Sequence, residues 1–397
     1  LGTSNVFLRC LTSIPRPKIG TRHPSSVYDF LMQPKFISPI SERSARIKRV
    51  TIPFEDRSEL VRMDRNEDVI GWDEENLAAM LGRIRASDLA AYHDSERLER
   101  RIADWIDVLP TNLTVTAGSS EALEMVFETY VDEGTDVLVL SPSYSLYEVF
   151  AAKCGARLIG FPFDSNLNVD IKILVDAIAK EQPRLIVLAN PNQPTGTLIR
   201  SVELGEIANA ALNAGAILLV DEAYWLFTPE SALNLITDYP NVIVTRTFSK
   251  ALGLAGLRLG FCAGPAERIS EIEKFRGVTK SNSIALLAGH YIMDHLDWTL
   301  ARVSDVIAGR DYLIEKFTES GLITFDSHAN FVLLECASHK SALQLVVSTR
   351  ASGYAIRGPL SGYPLENFVR ITAGPPYLMR QFWSQCSSEI FEYAKHR

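Results

Sequence analysis

One lysine in the sequence has surroundings that suit covalent chemistry. Lys250 follows the apolar run VIVTRTF (242–248) almost directly, and most of its neighbours along the chain are apolar or small. Such surroundings remove water from an amine and lower its pKa, so that the unprotonated form can attack a carbonyl group and form a Schiff base. A lysine after a strand can also be an ordinary surface residue. The residues that accompany it decide between the two interpretations.

Two polar groups close to this lysine favour an anionic ligand. Ser249 precedes it, and Arg258 follows eight residues later in ALGLAGLRLG. A hydroxyl and a guanidinium are groups that bind phosphate. The glycines of this segment permit close approach of the backbone, but their spacing does not match GxGxxG. We therefore predict a phosphate site here and not a dinucleotide site.

A second phosphate-binding element is predicted from TAGSSEALEMVFETY (116–130). Small residues lead into a helix whose first turn contains Ser119 and Ser120, after Gly118. The free N–H groups and the dipole of a helix N-terminus bind phosphate. A serine cap followed by glutamate would explain this segment taken alone. Together with the lysine segment, it favours a phosphate cup.

Asp221 ends the apolar run ILLVDEA (217–223). A carboxylate without a partner at the end of a buried strand costs free energy. The residue is therefore either the cap of a following helix or the partner of a positively charged ligand group.

The elements that must position these residues alternate between apolar runs and helical stretches from about residue 76 to 282. The runs are nearly continuously apolar, as in strands buried on both faces of a parallel sheet. They are LTVTA (113–117), VLVLS (137–141), RLIGFPF (157–163), LIVLAN (185–190), ILLVDEA (217–223), VIVTRTF (242–248) and LRLGFCAG (257–264). The pattern predicts an α/β fold with a mostly parallel, seven-stranded sheet, and ligands of such sheets bind beyond the carboxyl ends of the strands.

The pattern changes after residue 282. Residues 283–321 are typical of one or two helices, 331–336 and 367–373 of strands, and the chain from about Gln381 of a helix. We predict three parts of the chain. These are an N-terminal arm (1–45), a large domain (76–282), and a small α+β domain formed by 46–75 and 283–397.

The composition argues against several classes of protein. The chain has 397 residues, of which 47% are hydrophobic, and a formal charge of -8, which argues against a nucleic-acid surface. No apolar stretch reaches the length of a membrane span, and the histidines and cysteines show no metal-ligand spacing. Five scattered cysteines without a disulfide pattern favour reduced thiols and a cytoplasmic location.

The segment TFSKALGLAGLRLGF (247–261) closely resembles the lysine signature of class I/II aminotransferases, which have fold type I and use pyridoxal 5′-phosphate (PLP). The resemblance is strongest to the histidinol-phosphate aminotransferase group and extends over roughly residues 60–375. It implies that Lys250 forms the Schiff base with PLP. It also implies that Asp221 keeps the pyridine nitrogen protonated, and that Tyr224 hydrogen-bonds the 3′-oxygen of the ring.

Other segments resemble the same family in the expected order. In SPSYSLYEVF (141–150), Tyr144 matches the aromatic residue that stacks on the pyridine ring, and Tyr147 matches a second tyrosine. In LANPNQPTG (188–196), Gln193 stands where the family usually has the asparagine that binds the 3′-oxygen. Glutamine carries the same amide on a longer arm.

Two upstream segments resemble the family less completely. Tyr92 in AAYHDSERLERRIADW (90–105) matches a tyrosine that reaches the phosphate of the neighbouring subunit, which implies a homodimer. In MDRNEDVIGW (63–72), Asn66 and Glu67 match the family's Asn-Glu-Asn-Pro stretch, but Asp68 and Val69 replace its last two residues. This departure falls on the loop that closes over substrate.

The C-terminal part supplies the substrate residues that the resemblance implies. Asn330 in SHANFVLLE and Arg370 in NFVRITAG match residues that bind the substrate carboxylate, or the phosphate of histidinol phosphate. A planar guanidinium matches a carboxylate in bidentate geometry. Arg357 stands where the family often has a second anion-binding arginine, and a surface arginine is an equal alternative.

The predicted function is transfer of an amino group between an amino acid or amino phosphate, similar to histidinol phosphate, and a 2-oxo acid. One alternative keeps PLP but releases carbon dioxide from a phosphorylated amino acid, because the bond aligned perpendicular to the ring decides the outcome. The other alternative is a PLP-binding regulatory module without enzymatic activity.

Overall fold

The computed structural model describes residues 40, 44–45, 47, 56–277 and 281–396. The predicted arm of residues 1–45 lies outside this part of the chain, except for Ile40, Ser44 and Ala45. Within the described residues, no helix combines the length and the apolar character that crossing a membrane requires.

A seven-stranded sheet forms the centre of the fold. Its strands are β2 (Leu113–Thr116), β3 (Asp136–Ser141), β4 (Arg157–Pro162), β5 (Leu185–Ala189), β6 (Ile217–Asp221), β7 (Val242–Thr247) and β8 (Gly260–Ala263); β1 (Val61–Met63) lies elsewhere. The strand order is β2-β8-β7-β6-β5-β3-β4, and only β8 runs antiparallel to its neighbours. The predicted α/β fold with a mostly parallel sheet is confirmed, and each predicted run overlaps one of these strands.

The sheet is buried on both faces because alternate residues of each strand point to opposite sides. On one face, Leu138, Ile186 and Leu218 belong to one apolar cluster. On the other face, Val139 and Leu219 belong to a second cluster. This two-sided burial explains why the strands read as continuous apolar runs in the sequence.

The helices cover the sheet and build the rest of the fold. In chain order they are α1 (Glu74–Leu81), α2 (Ala86–Ala90), α3 (Glu96–Trp105), α4 (Ser119–Tyr130), α5 (Leu146–Cys154), α6 (Ile171–Glu181), α7 (Ser201–Asn213), α8 (Leu235–Asp238), α9 (Ala266–Ile272), α10 (Ser283–Asp294), α11 (Leu296–Glu319), α12 (His339–Ala351) and α13 (Pro376–Tyr393). Side chains cap the first turn of several helices. At the start of α6, Asp170 accepts from the N–H groups of Lys172 and Ile173. In α4 the capping position is Gly118, which offers no side-chain acceptor.

The C-terminal part contains two small sheets. Strands β9 (Phe331–Glu335) and β11 (Phe368–Thr372) pair antiparallel, and β1 pairs in parallel with β10 (Tyr354–Ile356). The predicted helical region 283–321 forms two helices, α10 and α11, and α13 begins at Pro376, before the predicted Gln381. One compact unit includes residues 42–397, so the division into a large and a small domain stays a prediction.

One glycine permits the close packing on which the start of α4 depends. A Cβ atom at Gly260 in β8 would lie 2.7 Å from the carbonyl carbon of Gly118 and from the nitrogen of Ser119, and 2.8 Å from the carbonyl oxygen of Arg246. All three atoms belong to the backbone and cannot turn away. The loop before α4 therefore rests directly on β8.

We predict that Gly260→Ala lowers the free energy of unfolding by about 1–3 kcal/mol, because the added methyl group must push backbone segments apart. Urea unfolding measures this loss. Gly256→Ala is the matched control, since no atom lies within 4 Å of a Cβ at Gly256. Equal losses of stability in the two variants would contradict the close backbone contact at Gly260.

Candidate active site

The predicted site residues lie at one edge of the seven-stranded sheet. Strands β2, β3, β5, β6 and β7 are parallel and end at this edge, and the antiparallel β8 begins there. Residues beyond these strand ends line one cavity of about 130 Å³. From the predicted set they are Ser119, Ser120, Tyr144, Gln193, Asp221, Tyr224, Ser249, Lys250 and Arg258.

The start of α4 and one arginine bring two positive groups together. The guanidinium of Arg258 lies against Gly118, where a Cβ atom would come within 2.8 Å of its Nη2. Arg258 Nη1 also donates to Ser249 Oγ over 3.3 Å. No acidic side chain of the described residues forms an ion pair with Arg258. Because the first N–H groups of a helix also carry partial positive charge, this arrangement favours an anion between them.

Asp221 lies buried at the end of β6, with an exposed fraction of 3%. Its carboxylate accepts from the hydroxyl of Tyr147 over 2.8 Å and from the hydroxyl of Thr245 over 3.1 Å. Burial, with a smaller contribution from nearby Glu222, raises the pKa of Asp221 to about 6, although the hydrogen bonds from the two hydroxyl groups oppose the shift. Within the described part of the chain, no cation pairs with this carboxylate. A positively charged ligand group would fill that role.

The amine of Lys250 lies in the same cavity. Its Nζ donates to the carbonyl oxygen of Arg65 over 3.0 Å. Burial lowers the pKa of Lys250 to about 8, and the positive charges of Arg370 and Arg258 act in the same direction. A substantial fraction of the amine is therefore neutral near pH 8, as a nucleophile or a proton acceptor requires.

Two tyrosines line the cavity in different surroundings. The hydroxyl oxygen of Tyr224 accepts from Asn66 Nδ2 over 2.7 Å, and the side chain is almost fully buried. Burial raises the pKa of Tyr224 to about 12, so its hydroxyl keeps its proton and can donate it to a ligand oxygen. Tyr144 packs edge-on against Tyr147, with 5.6 Å between the ring centroids.

Gln193, not its neighbour, faces the cavity. The amide of Asn192 is engaged by its own loop and by the loop after β3. It donates to the carbonyl oxygen of Pro142 and to the hydroxyl of Thr195, and it accepts from Ser143. The loop thus leaves Gln193 as the amide available to a ligand.

The predicted substrate residues in the C-terminal part have polar atoms without partners. Arg370 is 7% exposed, and its Nη2 donates to the carbonyl oxygen of Asp64 over 3.1 Å. Its Nε and the Oδ1 of the buried Asn330 have no hydrogen-bond partner among the described residues. Asn330 lines a second, smaller cavity together with Lys250. Arg357 is exposed, and its backbone pairs with that of Arg370.

Tyr92 does not line the cavity of its own chain. Its side chain is 92% exposed, beyond the end of α2. A role for Tyr92 at a site therefore requires a second chain.

Three residues that the sequence analysis gave no role contact the predicted site residues directly. Tyr147 and Thr245 donate to Asp221, and Asn66 donates to Tyr224. Thr245 had a signal in the sequence, because a hydroxyl inside an otherwise apolar buried strand needs a partner, and it pairs in register with Asp221. Asn66 has a left-handed backbone, with φ at 55°. Among the described residues, no cluster of His, Cys, Asp or Glu is arranged to hold a metal ion.

The cavity fits PLP group by group. The unpaired Arg258 and the start of α4 suit its phosphate, and the buried Asp221 without a cation suits its protonated ring nitrogen. The amine of Lys250, with its lowered pKa, suits its aldehyde, and Tyr224 and Gln193 suit its ring oxygen. All of these side chains line the cavity, and neither Arg258 nor Asp221 forms an ion pair within the described residues.

We predict that Asp221→Asn stabilises the cofactor-free protein above pH 6. The pKa of Asp221 in the folded protein is about 6 and its ordinary value is 3.8, so the folded state holds the proton more tightly. Stability therefore falls as the pH rises through this window, by about 2–3 kcal/mol in total. Urea unfolding of both proteins at pH 5 and pH 7.5 measures the difference, which should grow with pH. A constant difference would contradict the origin of the shift.

Comparison with known proteins agrees with this geometry. The family model described as "Aminotransferase class I and II" matches residues 74–383. Histidinol-phosphate aminotransferase 1 of Carboxydothermus hydrogenoformans is 31% identical over 323 residues, which cover 81% of this chain and 90% of that protein. The histidinol-phosphate aminotransferase of Chlorobaculum tepidum is 35% identical over 275 residues, which cover 68% and 77%.

A solved structure has the same fold. The histidinol-phosphate aminotransferase of Sinorhizobium meliloti, in complex with PLP, superimposes with a TM-score of 0.78 at 24% identity. The match covers 90% of this chain and 99% of that one. Fold and family pattern therefore agree, and the chain belongs to the class I and II aminotransferases, which use PLP.

Proposed function

We propose that this aminotransferase moves an amino group between histidinol phosphate, or a closely similar amino phosphate, and a 2-oxo acid. The observation that carries the proposal is the grouping of Lys250, Asp221 and Arg258 around one cavity, with a buried anion-binding arginine, Arg370, nearby. The names of the relatives point to the amino phosphate.

Bound PLP supplies an electron-withdrawing ring that makes the hydrogen on the substrate's α-carbon acidic. Asp221 holds the proton on the ring nitrogen, and the donors Tyr147 and Thr245 fix the direction of its carboxylate. Lys250, once its amine is free, would accept the proton from the α-carbon and return it two atoms away, at C4′ of the cofactor. Its pKa near 8 gives this amine a substantial neutral fraction near pH 8, and this neutral form can accept a proton.

The remaining residues bind and orient. Arg258, Ser249 and the start of α4 hold the cofactor phosphate, and Arg370 with Asn330 holds the anionic group of the substrate. The Nε–H of Arg370 is left for this purpose, because it has no partner in the described residues, and Asn330 Nδ2 has a second hydrogen beside the one that it donates to the carbonyl oxygen of Asn66. Arg357 is exposed beside Arg370 and can add a second positive charge.

The relatives favour amino transfer over the alternatives. Three relatives that are 29%, 31% and 35% identical over 79%, 81% and 68% of this chain are named as histidinol-phosphate aminotransferases. No described contact favours decarboxylation or a regulatory role without catalysis.

We also propose that the enzyme is a homodimer in which Tyr92 reaches the phosphate site of the partner subunit. Two observations support this role: the side chain of Tyr92 is 92% exposed, and it does not line the cavity of its own chain. The mass of the native protein, measured by light scattering, should correspond to two chains. Tyr92→Phe should bind PLP more weakly, and a monomeric mass would contradict the proposal. The cytoplasmic location stays a prediction, which fractionation of the source cells tests.

We predict that Lys250→Ala reduces amino transfer at least about a thousandfold, because the variant lacks both the nucleophile and the proton carrier. The measurement is 2-oxo acid formation under saturating PLP. Lys172→Ala, at an exposed lysine on α6, is the matched control and should keep full activity. Comparable activity of the two variants would mean that another residue carries the chemistry.

We predict that the visible absorption band of the PLP-loaded enzyme disappears on addition of histidinol phosphate, and separately on addition of glutamate. Each amine should convert the cofactor to pyridoxamine phosphate, because a transaminase completes half of its reaction with one substrate. Histidinol, which lacks the phosphate, is the control for the role of Arg370. A band that responds to glutamate but not to histidinol phosphate would keep amino transfer and exclude this substrate.

A further inference from the structure

A segment close to the N-terminal end of the described chain crosses the substrate side of the site. We call residues 64–72 the strap. The carbonyl oxygen of Arg65 accepts from Lys250 Nζ over 3.0 Å. Asn66 donates to Tyr224, and its carbonyl oxygen accepts from Asn330 Nδ2 over 3.2 Å. Three residues with proposed roles thus depend on where this segment lies.

An ion pair fastens the strap to a helix far away in the sequence. Asp68 pairs with Arg302 on α11, and the two side chains are only 12% and 18% exposed. Arg302 Nη2 also donates to the carbonyl oxygen of Gly71 over 2.6 Å. The guanidinium lies over the ring of Trp298, 5.1 Å from its centroid. Arg302 therefore holds the strap at two points.

The loop that carries Lys250 is shaped to receive this ion pair. Gly253 has a φ of 69°, and a Cβ atom there would lie 2.7 Å from Asp68 Oδ2 and 3.0 Å from Trp72 Nε1. Trp72 Nε1 also donates to the carbonyl oxygen of Leu252 over 3.2 Å. The carboxylate of Asp68 therefore lies directly on the lysine loop, which only a glycine permits here.

The pair also borders the cavity next to the lysine. Asp68, Arg302, Lys250 and Asn330 all line a small cavity on the substrate side. Because Asp68 neutralises Arg302, this arginine is not a free anion-binding group. Arg302 therefore affects substrate binding by fixing the position of the strap.

We propose that Asp68 and Arg302 are positioning residues that hold the strap closed over Lys250, Tyr224 and Asn330. This proposal gives a role to Asp68, which stands where the family pattern has a different residue. The kinetic part of its test rests on the proposed function, whereas the structural part does not.

The test compares Asp68→Asn, Arg302→Met and the double variant with the wild-type holoenzyme. Asparagine keeps the acceptor that Asp68 Oδ1 offers to the N–H groups of Ile70 and Gly71, so it removes the charge and not the turn. Methionine keeps the apolar stem on Trp298. Asp294→Asn is the matched control. Asp294 on α10 pairs with Arg83, which follows α1, and with Arg101 on α3, and it lines neither cavity.

We expect KM for the amino substrate to rise about tenfold in each single variant, which corresponds to 1.4 kcal/mol. The double variant should show no larger rise, because either change alone opens the pair. The affinity for PLP should change less than about twofold, because the residues that bind its phosphate lie on other elements. Arg302→Lys, which keeps the charge, should recover part of the loss. A fall in kcat without a change in KM would overturn the positioning role.

Hydrogen exchange measured by mass spectrometry tests the strap without activity. Residues 64–72 should exchange faster in both single variants, and at the wild-type rate in Asp294→Asn. Unchanged exchange of the strap in both single variants would overturn the proposal. If the wild-type enzyme transferred no amino group but the strap exchanged faster in the variants, the proposed function would fail and the closing role of the pair would stand.

Discussion

Uncompensated charge at the edge of the central sheet is the constraint on which the rest of the site depends. Arg258 lies against the start of α4 with no acidic partner among the described residues, and Asp221 lies buried without a cationic partner among them. The buried carboxylate costs free energy until an opposite charge arrives, whereas the exposed Arg258 remains available to an anion. A single ligand with a phosphate at one end and a protonated ring nitrogen at the other satisfies both, and Lys250 lines the same cavity.

The parallel sheet brings these groups together from distant parts of the chain. Asp221 ends β6, Thr245 occupies the neighbouring position on β7, and Lys250 follows three residues after the end of β7. The antiparallel β8 begins at the same edge, which places Arg258 beside the start of α4. Gly260 lets the backbone segments behind this arrangement touch. Strand direction and one close backbone contact thus set the geometry of the cofactor side, which is the part of the site formed by Asp221, Lys250, Arg258 and the start of α4.

The substrate side is built differently, because it depends on contacts between segments that lie outside the sheet. The strap holds Tyr224 and Asn330 through Asn66, and the pair of Asp68 with Arg302 fastens it to α11. The two sides therefore share Lys250 but few supporting residues. A change on one side can alter substrate binding and leave the phosphate site intact.

The sequence by itself determined the order of the strands along the chain, and it predicted most of the residues that line the cavity beyond their ends. Apolar runs mark strands buried on both faces, and polar residues after such runs meet at one edge. The sequence did not reveal β1 and β10, which have three residues each, or α12, whose mixed pattern gives a weak periodic signal. It also left open how the longer side chain of Gln193 fits the site, and how Asp68 does. Tertiary structure decided both, because the loop after β5 turns Gln193 toward the cavity while Asn192 bonds to the loop after β3, and the partner of Asp68 lies more than two hundred residues away.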